Sequence, residues 1–148
     1  MVTVGGSIVR AGPIEYFQNL FGATQFEKGY AAYEGGDYGA AMRLWRPLAE
    51  QRDAKAQYYL GQLYQNGQGV PQNYAEAMKW YRLAADQDYA HAQYALASMY
   101  ESGLGVPRNY AEAMKWYCRA SKNGDSAAQN HIGGMPINLE EVCGPHNF

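Results

Sequence analysis

Three histidines are the side chains of this chain best suited to hold a metal ion or to act as a general base. They do not form an HExxH pattern, and no acidic cluster or cysteine pair stands near them at metal-ligand spacing. We therefore interpret His91, His131 and His146 as exposed helix or tail residues. The sequence predicts no catalytic residue, no metal site and no cofactor.

Two cysteines are the other reactive side chains. Cys118 and Cys143 are too few and too widely separated to predict a disulfide framework or a zinc site. We expect two free thiols. The alternative is a disulfide between them that ties down the C-terminal tail.

Two glycine-rich loops superficially resemble phosphate-binding loops: GQGVP from Gly67 and GLGVP from Gly103. They lack the GxxxxGK[ST] arrangement, and they follow a predicted helix, whereas a phosphate-binding loop follows a strand. Their glycines therefore predict turns.

The composition narrows the class of protein. The 148 residues suffice for one domain, and 12 basic against 14 acidic residues leave a formal net charge of −2. Since a basic excess is missing, we expect no nucleic-acid partner. Alanine and 14 tyrosines supply much of the apolar content, which suits closely packed helices better than a sheet. No apolar stretch approaches the ~18 residues that cross a bilayer, so we expect a soluble protein without a membrane span.

The start of the chain, MVTVGGSIVRAGPIEYF, contains no sustained apolar block of the kind that an export signal uses. This absence predicts that the chain as given carries no signal peptide. A cytoplasmic protein and a trimmed periplasmic protein are the two alternatives.

An internal repeat predicts the elements that position these residues. The run NYAEAMKWY occurs at residues 73–81 and again at residues 109–117, a shift of 36 residues. The segments AQYYL from Ala56 and AQYAL from Ala92 keep the same shift, as do the glycine-rich loops between them. A period of this length predicts a solenoid of stacked units.

A diverged copy precedes the two matching units, and a truncated copy follows them. The segment GDYGAAMRLWRPLAEQ, residues 36–51, keeps the period but has a shorter turn before it. Residues 126–133 keep the period until Met135-Pro136 ends it.

Each unit predicts two helices. Within residues 73–87 the apolar side chains recur at i, i+3, i+4, i+7 and i+8, which is a single helical stripe. These side chains are Ala77, Trp80, Tyr81, Ala84 and Ala85. Asn73 is a good N-cap and Glu76 can reach back to it, as Asn109 and Glu112 can in the next copy.

The other helix of each pair is predicted over residues 54–64 and 90–100. Gly67 and Gly103 can supply the left-handed conformation that ends these helices. Small residues at Ala56, Gly61, Ala77 and Ala84 predict a close approach between helices.

Three tryptophans are candidate aromatic anchors for a partner, because tryptophan is favoured at binding hot spots. The helical phase of Trp45, Trp80 and Trp116 instead places them in the core, where the neighbouring helix pair buries them. Cys118 replaces Arg82 of the previous copy, which places Cys118 near the surface.

These residues resemble the Sel-one-like repeats, relatives of the tetratricopeptide repeats with a longer unit and a glycine-rich loop. The resemblance rests on AQYYLGQLYQNGQGVPQNYAEAMKWYRLAA from Ala56 and on AQYALASMYESGLGVPRNYAEAMKWYCRAS from Ala92, and it is strongest over residues 54–125. It implies an all-α fold, a right-handed alpha-alpha solenoid of helix hairpins. Members generally act as adaptors or scaffolds, and some bacterial members neutralise toxic effectors.

A cysteine-rich branch of this family has paired cysteines where this chain has Ala85 and Ser121, so its disulfide ladder is not carried over. Penicillin binding, linked to that branch, is not carried over either, because the chain has no Ser-x-x-Lys.

We divide the chain into an N-terminal segment (1–23), a helical-repeat domain (24–133) and a C-terminal tail (134–148). The repeat domain comprises a tetratricopeptide-like pair, two full repeats and a truncated repeat, at residues 24–53, 54–89, 90–125 and 126–133.

The two ends carry weaker predictions. Residues 13–21 predict a short helix that caps the first repeat, or that docks on a partner or a second copy of the chain. NLEEV from Asn138 predicts one last helical turn, and CGPHNF from Cys143 predicts a loose end.

The resemblance implies that the first helices of the pairs line the inner surface, so we seek partner-binding residues at their non-packing positions. Lys55, Tyr59 and Gln62 share one face of a first helix at i, i+4 and i+7. Their equivalents one repeat later are His91, Ala95 and Ser98. These side chains differ between copies although their neighbours match, which either recognition or an ordinary solvated face explains.

We therefore expect a non-catalytic protein–protein interaction module, an adaptor or scaffold that binds a protein or peptide on this surface. One alternative is an immunity or inhibitor protein that blocks a bacterial effector. Another is a hydrolase with an unrecognised site. A homodimer through exposed solenoid ends is a further partner that the repeat geometry allows.

Overall fold

Antiparallel helix pairs make up the part of the chain that the structure describes. The computed structural model describes residues 22–145, so the predicted helix at residues 13–21 and His146 lie outside it. The described residues form eight helices: α1 Gln25–Glu34, α2 Tyr38–Glu50, α3 Ala54–Asn66, α4 Tyr74–Ala85, α5 Ala90–Ser102, α6 Tyr110–Lys122, α7 Ser126–Gly133 and α8 Leu139–Cys143. The all-α prediction is confirmed, and helices α3 and α5 each run two residues further than their pattern indicates.

Side-chain caps begin the second helices where the sequence places them. Asn73 accepts a hydrogen bond from the Glu76 backbone N–H at 3.0 Å, and Asn109 accepts one from Glu112 at the same distance. The two glutamates lie next to lysines of their own helices. Glu76 Oε1 is 4.0 Å from Lys79 Nζ, and Glu112 Oε1 is 2.9 Å from Lys115 Nζ. The two N-caps are confirmed, but neither glutamate side chain reaches back to the cap backbone as predicted.

Glycines end the first helices and bring the following loops close to the neighbouring repeat. Gly67 and Gly103 are left-handed, with φ of +64° and +70°, which confirms the prediction. A Cβ at Gly105 would lie 2.6 Å from the Tyr74 carbonyl oxygen. Each glycine-rich loop therefore packs on the start of the preceding second helix. Its glycines allow this close backbone contact and are explained without a phosphate.

The predicted apolar stripe forms the core. Ala77, Trp80, Tyr81, Ala84 and Ala85 are all buried. The three indoles are buried as well, since Trp45, Trp80 and Trp116 are 0%, 7% and 6% exposed. Trp80 shares an apolar cluster with Trp45 of the preceding pair and with Leu60 of its own pair. Neighbouring pairs therefore bury one another's rings, as predicted.

Gly61 lets the first helix of a pair approach the second. A Cβ at Gly61 would lie 2.5 Å from Tyr81 Cε1, closer than real Cβ contacts come. The Tyr81 ring is 1% exposed, and its hydroxyl donates to Gln65 Oε1 at 2.6 Å. The ring occupies the space that the missing side chain leaves.

A row of glutamines, which the sequence analysis did not single out, joins successive pairs. Once per repeat, a glutamine Nε2 near the start of a first helix donates to the backbone carbonyl eight residues earlier, at the end of the preceding second helix. The pairs are Gln57 with Ala49 at 3.0 Å, Gln93 with Ala85 at 3.0 Å and Gln129 with Ser121 at 3.1 Å. Each of these carbonyls also accepts a backbone N–H from the turn that follows it, so the glutamine adds a second hydrogen bond and ties the two helices together.

The two cysteines correct the sequence analysis. Cys118 and Cys143 form a disulfide with a Cα–Cα distance of 5.5 Å, so the expectation of two free thiols is wrong. Each is only 3% exposed, so the surface position predicted for Cys118 is wrong. The loose end predicted from Cys143 is wrong for Cys143 itself, and its last three residues lie outside the described part of the chain. The reason lies in α8, the predicted last turn, which is present and packs against α6. In the previous repeat the same position, Arg82, lies over the Trp116 ring instead.

We predict that Gly61→Ala destabilises the protein by about 1–3 kcal/mol, because the new methyl group displaces the Tyr81 ring. Urea denaturation checks this. The matched control is Gly133→Ala, at the last position of α7, where a Cβ meets nothing within 4 Å. Equal stability of the two variants would contradict the tight contact between Gly61 and Tyr81.

We predict that the double variant Cys118→Ala/Cys143→Ala loses about 3 kcal/mol of unfolding free energy, because the disulfide closes a loop across a sequence separation of 25. Denaturant unfolding measures the loss. Thiol titration of the unreduced, denatured protein is the control and should find no free thiol. Two titratable thiols would show that the bond does not form.

Candidate partner-binding surface

We call the solvent-facing side chains of the first helices α1, α3, α5 and α7 the first-helix surface. Of the predicted partner-binding residues, Lys55 and His91 are exposed on it. The other four, Tyr59, Gln62, Ala95 and Ser98, are half-buried. The structure therefore places all six on first helices, but only two of them are mainly solvated.

Tyr59 is a packing residue, which corrects the premise on which it was chosen. Its ring lies 4.8 Å from the Trp45 ring and 5.6 Å from the Phe26 ring, centroid to centroid. Burial, and then the neighbouring Tyr30, raises the pKa of Tyr59 to about 12. The pattern missed these contacts because Phe26 and Tyr30 belong to α1, outside the two matching repeats. Ala95 likewise packs against the core of its repeat.

Lys55 borders a cleft between α1 and α3. Its Nζ lies 4.4 Å from the centroid of the Phe26 ring, within the range of a cation–π contact. The cleft has a volume of about 470 Å³, and Tyr30 and Tyr59 also line it. Its lining therefore combines aromatic rings, the ammonium group of Lys55 and the carboxylate of Glu27.

Gln62 is held by the tyrosine one turn before it. Gln62 Nε2 donates to Tyr58 Oη at 2.8 Å. Burial, followed by the neighbouring Tyr59, raises the pKa of Tyr58 to about 12. Tyr58 was not singled out by the sequence analysis, although its position in the repeat is shared with Tyr94.

His91 is oriented by a buried carboxylate from the next repeat. His91 Nδ1 lies 2.7 Å from Asp125 Oδ2, and Asp125 is 4% exposed. The other oxygen of Asp125 accepts from the Ala128 backbone N–H at 2.7 Å and caps α7. Because a carboxylate can only accept, the shared proton sits on Nδ1, so Nε2 is an acceptor when the ring is neutral.

Three rings meet where α3 and α5 adjoin. Tyr58, Tyr89 and His91 lie pairwise between 5.5 and 6.0 Å apart, centroid to centroid. We call them the three-ring cluster. The side chain of His91 is 63% exposed, whereas the two tyrosines are half-buried.

Ser98 belongs to a polar group further along the surface. Tyr117 Oη donates to Glu101 Oε2 at 2.7 Å, and its pKa is raised by burial and then by Glu101, while a Ser98 hydrogen bond opposes the rise. The His131 ring lies 4.3 Å from the Tyr117 ring, and its Nε2 lies 3.4 Å from Glu101 Oε1. His131 is therefore half-buried, which corrects the exposed position predicted for it.

The described residues do not assemble a metal site or a membrane span. Within residues 22–145, no three histidine, cysteine, aspartate or glutamate side chains converge as metal ligands. Over the same residues, every helix falls short of the length and hydrophobicity that crossing a bilayer requires.

Comparison with known proteins decides the family. The family model described as Sel1 repeat matches residues 54–89 and residues 90–125. The chain contains two Sel1 repeats. The matched ranges coincide with the two full repeats that the 36-residue shift delimits, so the resemblance stated from the sequence is confirmed.

Solved structures share the helical-repeat fold. A Sel1 repeat protein from Oxalobacter formigenes is 33% identical, with a TM-score of 0.72 over 79% of this chain and 51% of that one. The protective antigen c5321 of uropathogenic Escherichia coli, which has an SLR fold, is 36% identical, with a TM-score of 0.71 over 84% of this chain and 28% of that one. The chain thus spans about half the length of the first relative and less than a third of the second.

A more distant structure shows the fold alone. Cysteine-rich protein B of Helicobacter pylori is 22% identical, with a TM-score of 0.59 over 62% of this chain and 68% of that one. Among curated protein sequences, none matches this chain.

We predict that Tyr58 and Tyr59 ionise only near pH 12, and that the protein loses stability as the pH rises from 10 to 12. Their folded pKa values exceed the unfolded value of 10.0, so the unfolded state releases its protons first and is favoured over that interval. Absorbance of phenolate at 295 nm measures the titration, with the urea-unfolded protein as control. The double variant Tyr58→Phe/Tyr59→Phe lacks both hydroxyls. Its absorbance should therefore rise less near pH 12. An unchanged curve would contradict their burial.

Proposed function

We propose that this protein is a non-catalytic interaction module that binds a protein or peptide on the first-helix surface. The observation that carries this proposal is the row of half-exposed aromatic side chains there, among them Tyr30, Tyr58, Tyr59 and Tyr89. Tyrosine combines a large apolar area with a polar tip and is enriched at protein interfaces.

The scaffold supports such a role because it fixes these side chains before a partner arrives. Tyr58 is hydrogen-bonded, and Tyr59 packs on Trp45 and Phe26. Side chains that are already ordered lose little entropy on binding, so more of the contact energy appears as affinity.

The family supports the same class of function. Sel1 repeats are typically protein-interaction modules, and proteins of the family are generally non-catalytic scaffolds. Nothing in residues 22–145 specifically favours an effector-blocking protein or a hydrolase.

The disulfide adds a proposal about the compartment. Disulfides persist in oxidising compartments and are rare in the cytosol. Of the two compartments expected from the sequence, the bond between Cys118 and Cys143 favours the periplasm, or an extracellular location, over the cytoplasm.

We predict that the double variant Lys55→Ala/Gln62→Ala binds its partner roughly tenfold more weakly, because truncating central contacts costs more than about 1 kcal/mol. Affinity capture with mass spectrometry identifies the partner, and calorimetry with the purified partner measures the change. Tyr59→Ala is unsuitable as a test because it also removes core contacts.

The control variant is Lys79→Ala/Leu83→Ala, which alters exposed side chains of the second helix α4. It should bind normally, and both variants should melt at the temperature of the original protein. Weakened binding by the α4 variant alone would place the site on the second helices. Failure to capture any specific partner would count against an interaction module altogether.

A further inference from the structure

The three-ring cluster has a feature that the rest of the first-helix surface lacks, an oriented and exposed hydrogen-bond acceptor. The proton on His91 Nδ1 is held by Asp125 Oδ2 at 2.7 Å. In the neutral imidazole Nε2 therefore carries a lone pair, and within residues 22–145 no protein group donates a hydrogen bond to it. With the side chain 63% exposed, this acceptor is open to a donor from another molecule.

The two tyrosine rings that flank His91 also favour a positively charged group. Tyr58 lies 6.0 Å from His91 and Tyr89 lies 5.7 Å from it. The face of a tyrosine ring is the negative part of its quadrupole and attracts an ammonium or guanidinium group.

Carboxylates near the cluster also favour a positively charged group. Asp125 lies directly behind the His91 ring, and Asp53 is near enough to Tyr89 to help raise its pKa, after burial. The nearest basic side chain of α3, Lys55, has its Nζ over the Phe26 ring on the side of α1. Two carboxylates, Asp53 and Asp125, thus lie near the cluster and favour a cation there, and the guanidinium of Arg119 is paired with Asp88.

We propose that the three-ring cluster binds a lysine or arginine side chain of a protein partner. An N–H of that side chain donates to His91 Nε2, and its charge lies against the faces of Tyr58 and Tyr89. Asp125 stabilises the cation through the imidazole that it orients. This proposal rests on the proposed function and specifies the chemistry of the partner.

The next repeat supplies a matched control. Tyr94 stands 36 residues after Tyr58 and lies 5.4 Å from the Tyr117 ring, just as Tyr58 lies 5.8 Å from the Tyr81 ring. The positions of Tyr89 and His91 are taken there by Asp125 and Ala127, so the cluster is not repeated. Tyr94→Leu thus removes a similarly packed tyrosine that is not one of the three rings.

The test is a titration of the isotope-labelled full chain, followed by NMR, with the peptide acetyl-Gly-Lys-Gly-amide and with its arginine counterpart. The same peptide with norleucine in place of lysine keeps the length and removes the charge. We expect the lysine or the arginine peptide to shift signals of Tyr58, Tyr89 and His91, and the norleucine peptide to leave them in place. Tyr58→Leu and His91→Gln should weaken binding about fivefold or more, and Tyr94→Leu should not.

His91→Gln retains a donor for Asp125, and Tyr58→Leu alters a different residue, so loss of fold in one variant leaves the other informative. The proposal is overturned if neither basic peptide shifts these signals. It is also overturned if acetyl-Gly-Glu-Gly-amide shifts them more strongly, or if Tyr94→Leu weakens binding as much as Tyr58→Leu. A partner that is still captured, and still weakened by Lys55→Ala/Gln62→Ala, would show that the module binds proteins without this basic contact.

Discussion

The fit of a second-helix ring against the backbone of its first helix is the contact on which the structure depends. Gly61 leaves no room for a side chain because the Tyr81 ring fills that space. The ring brings its hydroxyl to Gln65 and lies beside Tyr58. Close approach of the two helices therefore sets the spacing of the pair and, through Tyr58, the position of a side chain on the first-helix surface.

The repeat made the local parts of the fold predictable. The N-caps Asn73 and Asn109, the left-handed Gly67 and Gly103 and the buried indoles all depend on residues within one unit or its direct neighbour. Apart from Trp45, which stands 36 residues before Tyr81, such features recur with the 36-residue shift, so the sequence displays each of them twice.

The features that escaped prediction depend on parts of the chain that do not repeat. Tyr59 packs because α1 brings Phe26 to it, and Cys118 is buried because α8 brings Cys143. The three-ring cluster arises only where Tyr89 and His91 meet Tyr58, and its next counterpart is Asp125 with Ala127. The repeat period shows which positions vary. It does not show which unlike segments of the chain come into contact.

The glutamine row has a consequence for how chains of this kind grow. Each unit contains a glutamine that donates to a backbone carbonyl of the unit before it. The same unit contains the carbonyl that accepts from the glutamine of the unit after it. Insertion or deletion of a whole unit therefore keeps this hydrogen bond at every junction, whereas a cut within a unit removes the donor or the acceptor of one junction. The length of the array can change in evolution or by design in steps of one unit, without renewed optimisation of its joints.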